Sequence, residues 1–290
     1  MADDAQTVDS QSAGSDSPHL NEGEQDQAAR LSPPRALVVH EIVREEGEMA
    51  LARENGALAW SALAAGLSMG FSFLTQSLLQ SGLPDAPWRH LVASFGYSMG
   101  FIIVILGRQQ LFTESTLTVV LPLLMRRDRR TFVATLRVWA IVLAANLAGT
   151  FCFAALLLPE GVFGPEAHHA FAEISAEAVG GMFGVTLLKA VFAGWLIALM
   201  VWLLPGARSA RLVTVLLVTY LVALARLSHI IAGSVEAAFA VLSGHASLGA
   251  YFGRFLVPTL VGNVIGGVSL VGMLNHASIA PEFRPQPGQG

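Results

Sequence analysis

The chain has 290 residues, of which 53% are hydrophobic and only 13% charged, about half the charge that a soluble globular domain carries. Residues 1–54 hold 12 of the 21 acidic side chains and four arginines, leaving a body with 13 basic and 9 acidic residues, net +4. So few charges cannot cover a soluble surface, which excludes soluble enzyme folds and nucleic-acid binding, and apolar runs of roughly 20 residues point to helices crossing a hydrocarbon layer.

In chain order, residues 1–35 read as a disordered acidic tail. Met1 to Pro34 is polar and lacks both the basic start and the apolar core of a secretory signal. Residues 36–54 mix Val38, Ile42, Met49 and Leu51 with Glu and Arg, the pattern of an amphipathic helix at a membrane interface. Residues 55–275 are expected to form an all-α transmembrane domain of six crossings, at about 57–80, 91–125, 132–158, 181–204, 212–242 and 248–274. Residues 276–290 are a short tail. The only cysteine, Cys152, has no partner for a disulfide and reads as an apolar residue of the third crossing.

Arginines gather in the connections at Arg126, Arg127, Arg129 and Arg130 and at Arg208 and Arg211. The opposite connections carry Asp85, Glu160, Glu166, Glu173 and Glu177, with Arg89 as the exception. The positive-inside bias then puts both termini in the cytoplasm, as an even number of crossings requires.

The second crossing is interrupted by Gly107 to Ser115, with Arg108, two glutamines and Glu114 at membrane depth, and the fifth by Arg226-Leu227-Ser228-His229. Broken helices at the second position of each group of three are the mark of an inverted-repeat transporter. Thr113 precedes Asn146 by 33 residues and His229 precedes Asn263 by 34, and both asparagines begin an Asn-x-x-Gly pattern that ends at Gly149 and Gly266. Two inverted three-helix halves are therefore expected, with Asn146, Gly149, Asn263 and Gly266 packing the repeats and Thr113 facing His229 near the midplane.

Irregular backbone at membrane depth is tolerated only where it is buried in protein or lines a wet cavity, so the breaks mark a permeation path. His229 is its leading residue, since an imidazole can exchange a proton near neutral pH. Thr113 can donate to an anion or hold a ring nitrogen of His229. Leu111 and Phe112 form one apolar collar, and Phe101, about a turn and a half upstream of the break, contributes to another. A bare anion meets a large desolvation cost there, so an anion given a proton, by His229 or by a proton-bearing partner in the vestibule, crosses as the neutral acid. Arg108, Arg226, Glu114 and Glu236 lie near the breaks, where mutual pairing or anion attraction would explain them. Lys189, the only lysine, is a vestibule cation or a snorkelling anchor. No metal or cofactor is expected, because His19, His40, His90, His168, His169, His245 and His276 fall in tails, loops or helix ends.

Leu111-Phe112-Thr113 in the second crossing, Ser228-His229-Ile230-Ile231-Ala232 in the fifth and Gly262-Asn263-Val264-Ile265-Gly266-Gly267 in the sixth resemble the formate/nitrite transporter family over about residues 57–275. The resemblance implies an aquaporin-like protomer in a homopentamer of the inner membrane, not an enzyme, moving formate, nitrite or similar monovalent anions together with protons. By position it makes His229 the central histidine, Thr113 the threonine facing it, and Leu111 and Phe112 constriction residues. Ser228 stands where family members often have an acid, and Arg226 is also a departure. Two alternatives remain: a neutral-solute channel of the aquaporin type, although no Asn-Pro-Ala turn exists, and a membrane regulator whose pore has degenerated.

Overall fold

The structure is a computed structural model that describes residues 17–280, in which every regular element is helical. Helix α1 (Glu22–Leu31) lies inside the segment expected to be a disordered tail. A capping box accounts for it: the Asn21 side chain accepts from the Glu24 amide at 3.0 Å, and the Glu24 carboxylate accepts from the Asn21 amide at 2.9 Å. Residues 1–16 of that tail, and residues 281–290 of the expected C-terminal tail, lie outside the described residues.

Helix α2 (Ala36–Ala52) buries Val39, His40, Val43, Gly47 and Ala50, a spacing that makes one face of a 3.6-residue helix. That face docks on the body. Gly47 meets the Thr118 carbonyl, where a β-carbon would not fit.

The membrane body begins with α3 (Asn55–Gly82) and α4 (Arg89–Leu106), continues through the short helices α5 (Phe112–Thr118) and α6 (Val120–Arg126), and closes its first half with α7 (Arg129–Leu156). The second half is α8 (Pro165–Gly180), α9 (Phe183–Ala207), α10 (Arg211–Leu224), α11 (Ala232–Leu242) and α12 (Leu248–Ile279). Helix α12 runs into the expected tail and has wider π-type turns over Tyr251–Leu256 and Ile265–Met273. The first of these precedes Pro258, whose missing amide leaves a carbonyl one turn back without its helical donor.

Phe183–Leu224 is a nearly continuous apolar run of 42 residues. At 1.5 Å per residue it would reach about 63 Å, roughly twice a bilayer core. It breaks at Arg208, whose φ of 43° and ψ of −113° end α9. With α4–α6 and α10–α11 each taken as one interrupted crossing, the arrangement is consistent with six. Long stretches of α3, α4, α7, α9, α10 and α12 present leucine, valine and aromatic side chains outward, as a lipid-facing surface requires.

Helix α8 was not expected, because four acids between residues 160 and 177 read as a polar connection. Pro165 at its first turn and Glu166 beside it suit a helix N-terminus. Ala167, Phe171 and Ile174 then recur on one buried face against Phe73 and Phe239.

The halves contact each other in matching pairs: α3 packs on α4 and α7 as α9 packs on α10 and α12, and α5 reaches α9 and α12 as α11 reaches α3 and α7. The same duplication appears in the hydrogen bonds of two buried asparagines. Asn146 Oδ1 accepts from the Phe112 amide at 2.9 Å, and its Nδ2 donates to the Ala62 and Gln110 carbonyls at 2.6 and 3.0 Å. Asn263 Oδ1 accepts from the Ile230 amide at 2.8 Å, and its Nδ2 donates to the Ala190 and Ser228 carbonyls at 2.8 and 3.0 Å. Gly149 and Gly266 bring the helices to backbone contact beside them, against Leu63 and Val191. The register differs slightly from the sequence spacing: Phe112 matches Ile230, so the repeat partner of His229 is Leu111 and that of Thr113 is Ile231. Thr113 and His229 meet across the repeat rather than as mates.

Two outcomes follow. Asn146→Ala and Asn263→Ala each strand one buried amide donor and two carbonyls, so each should destabilise the protein by about 1–3 kcal/mol, read as a lower unfolding temperature in detergent; unchanged temperatures would show that the brackets carry no weight. The second concerns α2. His40 Nδ1 faces the Glu41 carboxylate at 3.0 Å and Nε2 faces His276 Nδ1 at 3.2 Å, and burial holds the His40 imidazole below its ordinary value despite the pull of Glu41. A folded-state value below the unfolded one means that docking is favoured above about pH 6.5 and weakens as His40 charges on acidification. Protection of the α2 amides, corrected for the intrinsic exchange rate at each pH, should therefore drop between about pH 7.5 and pH 5 more than that of the α3 amides, and His40→Leu should remove most of the difference.

Candidate functional site

Both breaks use the same backbone device. Gly107 and Ala225 cap α4 and α10, and the next residues, Arg108 and Arg226, turn left-handed at φ 52° and 49°. The amide of Arg108 then bonds Ile105 and that of Gln109 bonds Val104, as the amide of Arg226 bonds Ala223 and that of Leu227 bonds Val222. This is the Schellman ending, normally built on glycine. An arginine in this conformation costs about 1–3 kcal/mol, so each break contains a locally strained residue.

Neither arginine pairs with Glu114 or Glu236. Arg108 reaches Glu46 of α2 at 3.3 Å, and Arg226 reaches Glu177 of α8. Each half of the protein is thus preceded by an amphipathic helix that places a glutamate on its own break. The pairing of Glu46, Glu173 and Glu177 could not be foreseen from the sequence, since their partners lie 62, 84 and 49 residues away at Arg108, Arg89 and Arg226. Among the described residues Glu114 and Glu236 form no ion pair within 4 Å, so pairing does not explain them.

Between the breaks the expected contact is present. His229 Nε2 lies 2.9 Å from Thr113 Oγ1, and both residues are buried. The ring's other nitrogen fixes the tautomer, because His229 Nδ1 accepts from the amides of Ile231 and Ala232 at 3.3 and 3.2 Å. Nδ1 is therefore the acceptor and Nε2 carries the proton, donating to the threonine oxygen. The hydroxyl proton of Thr113 is then free to turn toward a passing solute. The two amides at the start of α11 leave no acceptor for a second ring proton at Nδ1.

Leu111, Phe112 and Phe101 are fully or almost fully buried around this pair. Phe101 packs edge-on against the imidazole with ring centres 4.9 Å apart, and Phe112 packs against Trp139 at 5.9 Å. Phe101 thus belongs to the same collar as Leu111 and Phe112 and not to a separate one. Ser228 contributes its carbonyl to Asn263.

Two cavities approach the collar from opposite ends. One, of about 650 Å³, lies on the side of α2 and reaches Arg108, Gln110, Glu114 and Ser115. The other, of about 190 Å³, lies on the side of α8 and reaches Lys189, Arg226, Ser228, His229 and Glu236. Lys189 makes no ion pair within 4 Å among the described residues. Along this line lie one cavity with polar and charged lining, an apolar neck with one hydroxyl and one imidazole, and a second cavity with polar and charged lining.

Residues 37–277 match the family model described as formate/nitrite transporter. Among curated relatives, the chain is 40% identical over 247 residues to the inner membrane protein YfdC of Escherichia coli, spanning 85% of this chain and 80% of that one. It is 25% identical over 280 residues to the formate channel FocB of Escherichia coli, spanning 86% and 94% of the two chains. Among solved structures, a pentameric formate channel with formate bound superposes with a TM-score of 0.66 at 20% identity, over 78% of this chain and 98% of that one. The broken-helix fold, the family match and the extent of the relatives agree, and the chain belongs to the formate/nitrite transporter family.

Proposed function

We propose that this protein carries small monovalent weak-acid anions, with formate and nitrite as the representatives, through a pore whose centre is His229. The observation that carries the proposal is the 2.9 Å bond between Thr113 and His229, which joins the two breaks inside an apolar neck between two polar cavities. The names of the formate channel relatives support the substrate class.

A formate ion entering from either cavity finds arginine or lysine, which favours its arrival, and then a neck that strips its water. Crossing as the bare ion carries a steep desolvation cost, whereas formic acid or nitrous acid crosses as a neutral, hydrogen-bonding molecule. The free hydroxyl proton of Thr113 offers the solute a hydrogen bond where no water remains, and His229 holds that hydroxyl in place. Transport is therefore channel-like or proton-coupled, with one proton accompanying each anion. The proposal includes a homopentamer in the inner membrane, each protomer with its own pore and both termini in the cytoplasm, on the strength of the charge bias of the connections and of the pentameric relative.

Labelled formate uptake into proteoliposomes should exceed that of empty vesicles and rise as the external pH falls. Thr113→Val, which removes the hydroxyl and keeps the shape, should lower it by roughly tenfold, the worth of one hydrogen bond of about 1.4 kcal/mol. Wild-type uptake of both formate and nitrite equal to that of empty vesicles would refute the reading. A native gel that runs at the mass of one chain would refute the pentamer.

A further inference from the structure

Of the acids that reach the two cavities, all but two are held by arginine. Glu46 pairs with Arg108, Glu173 with Arg89 and Glu177 with Arg226. The remaining two, Glu114 and Glu236, sit deepest: Glu114 directly follows Thr113, and Glu236 lies seven residues past His229, two turns along the same side of the broken crossing. Each lines its own cavity, and each has a half-buried side chain on a helix whose other residues are apolar or small. A carboxylate at membrane depth without a cation is expensive and marks a pathway by default.

We propose that Glu236 and Glu114 are the proton donor and acceptor on the two sides of the neck. The idea rests on the transport reading above and deepens it. His229 is poorly placed for the task, since its Nε2 proton is committed to Thr113 and its Nδ1 to two backbone amides. A proton that accompanies the anion needs another carrier, and one carboxyl waits on each side.

The step balances simply. The Glu236 carboxyl passes its proton to a formate oxygen, leaving a carboxylate and a molecule of formic acid. The acid crosses the neck between Phe101, Leu111 and Phe112, and the Glu114 carboxylate takes the proton on the far side, releasing formate; Glu114 then gives the proton to solvent on its side, and Glu236 regains one from solvent on its own. Reversal runs the same transfers backward. A glutamic acid and a small carboxylic acid have similar intrinsic acidity, with that of glutamate near 4.3, so neither transfer is strongly uphill.

The surrounding charges are compatible with this exchange. Facing Glu236 within its cavity, Arg89 and Arg226 are already paired, His90 bonds the Leu224 carbonyl, and α3 contributes only the amides of Gln76 and Gln80. Lys189, Tyr97 and His229 remain, so one unpaired cation can hold the anion while the carboxyl delivers the proton. Facing Glu114, Arg108 is held by Glu46, Arg211 bonds the Leu204 carbonyl, and Arg53 is the remaining cation.

The test is formate flux into proteoliposomes, read both as label and as acidification of a lumenal dye, for wild type, Glu236→Gln, Glu236→Asp and Glu114→Gln. The expected result is at least a tenfold loss in Glu236→Gln and in Glu114→Gln, with a flattened pH profile. Glu236→Asp should keep most of the flux with a displaced profile. Flux and profile in Glu236→Gln equal to the wild type would overturn the relay and leave the transport reading intact. A rise in flux would also overturn it, since the carboxylate would then be a mere repulsive charge. If Glu236→Gln does not assemble, Glu236→Asp decides, and an unshifted profile there counts against the relay. A wild type that moves neither formate nor nitrite would remove both readings together.

Discussion

A helix that stops inside an apolar interior leaves amides and carbonyls that no water can reach, and each one left unpaired costs about as much as the fold can spare. The whole arrangement of the two breaks follows from how those groups are satisfied. At each break one asparagine from the last helix of the same half provides an acceptor for the amide that starts the next piece and two donors for carbonyls on either side. Because the amide comes from Asn146 or Asn263 on a continuous helix, the positions of Phe112 and Ile230 are set by rigid elements. Leu111, Thr113 and His229, each within a residue of those two, inherit their precision from the brackets.

The unit that is duplicated contains more than three crossings. Helices α2 and α8 come before the two halves, each buries one apolar face, and each sends a glutamate to the arginine of its own break. The peripheral helices thus occupy equivalent places with respect to the two cavities. They differ in what else they hold: α2 is pinned through His40 to His276 in the last turns of α12, whereas α8 rests on an aromatic cluster of Phe73, Phe171 and Phe239.

Much of this was legible in the residues. The apolar runs, the paired breaks and the meeting of Thr113 with His229 follow from hydropathy and spacing, since a charge cluster inside a membrane helix has few explanations. The one-residue register of the repeat was not legible, because Asn-x-x-Gly locates the third helix and not the amide that its side chain binds. Helix α8 was hidden by its acids, although Pro165 followed by apolar residues at Ala167, Phe171 and Ile174 carried the signal. The partners of Arg108 and Arg226 could not be read at all, because they come from elements dozens of residues away whose docking only the folded chain defines. For the same reason a sequence reading could not separate the paired acids Glu46, Glu173 and Glu177 from the unpaired Glu114 and Glu236.

The left-handed arginines have a mechanical consequence. Each costs about 1–3 kcal/mol in backbone strain, and the exposed ion pair that each makes returns only about 0–1 kcal/mol. The margin of each break is therefore supplied by the buried amide brackets further in, not by the charges at its edge. Stiffness in this molecule should be graded radially: the waist is locked by uncharged hydrogen bonds that salt does not screen, and the rims are held by contacts that ordinary ionic strength loosens. Such an interior can let its rims breathe without changing the spacing across its waist.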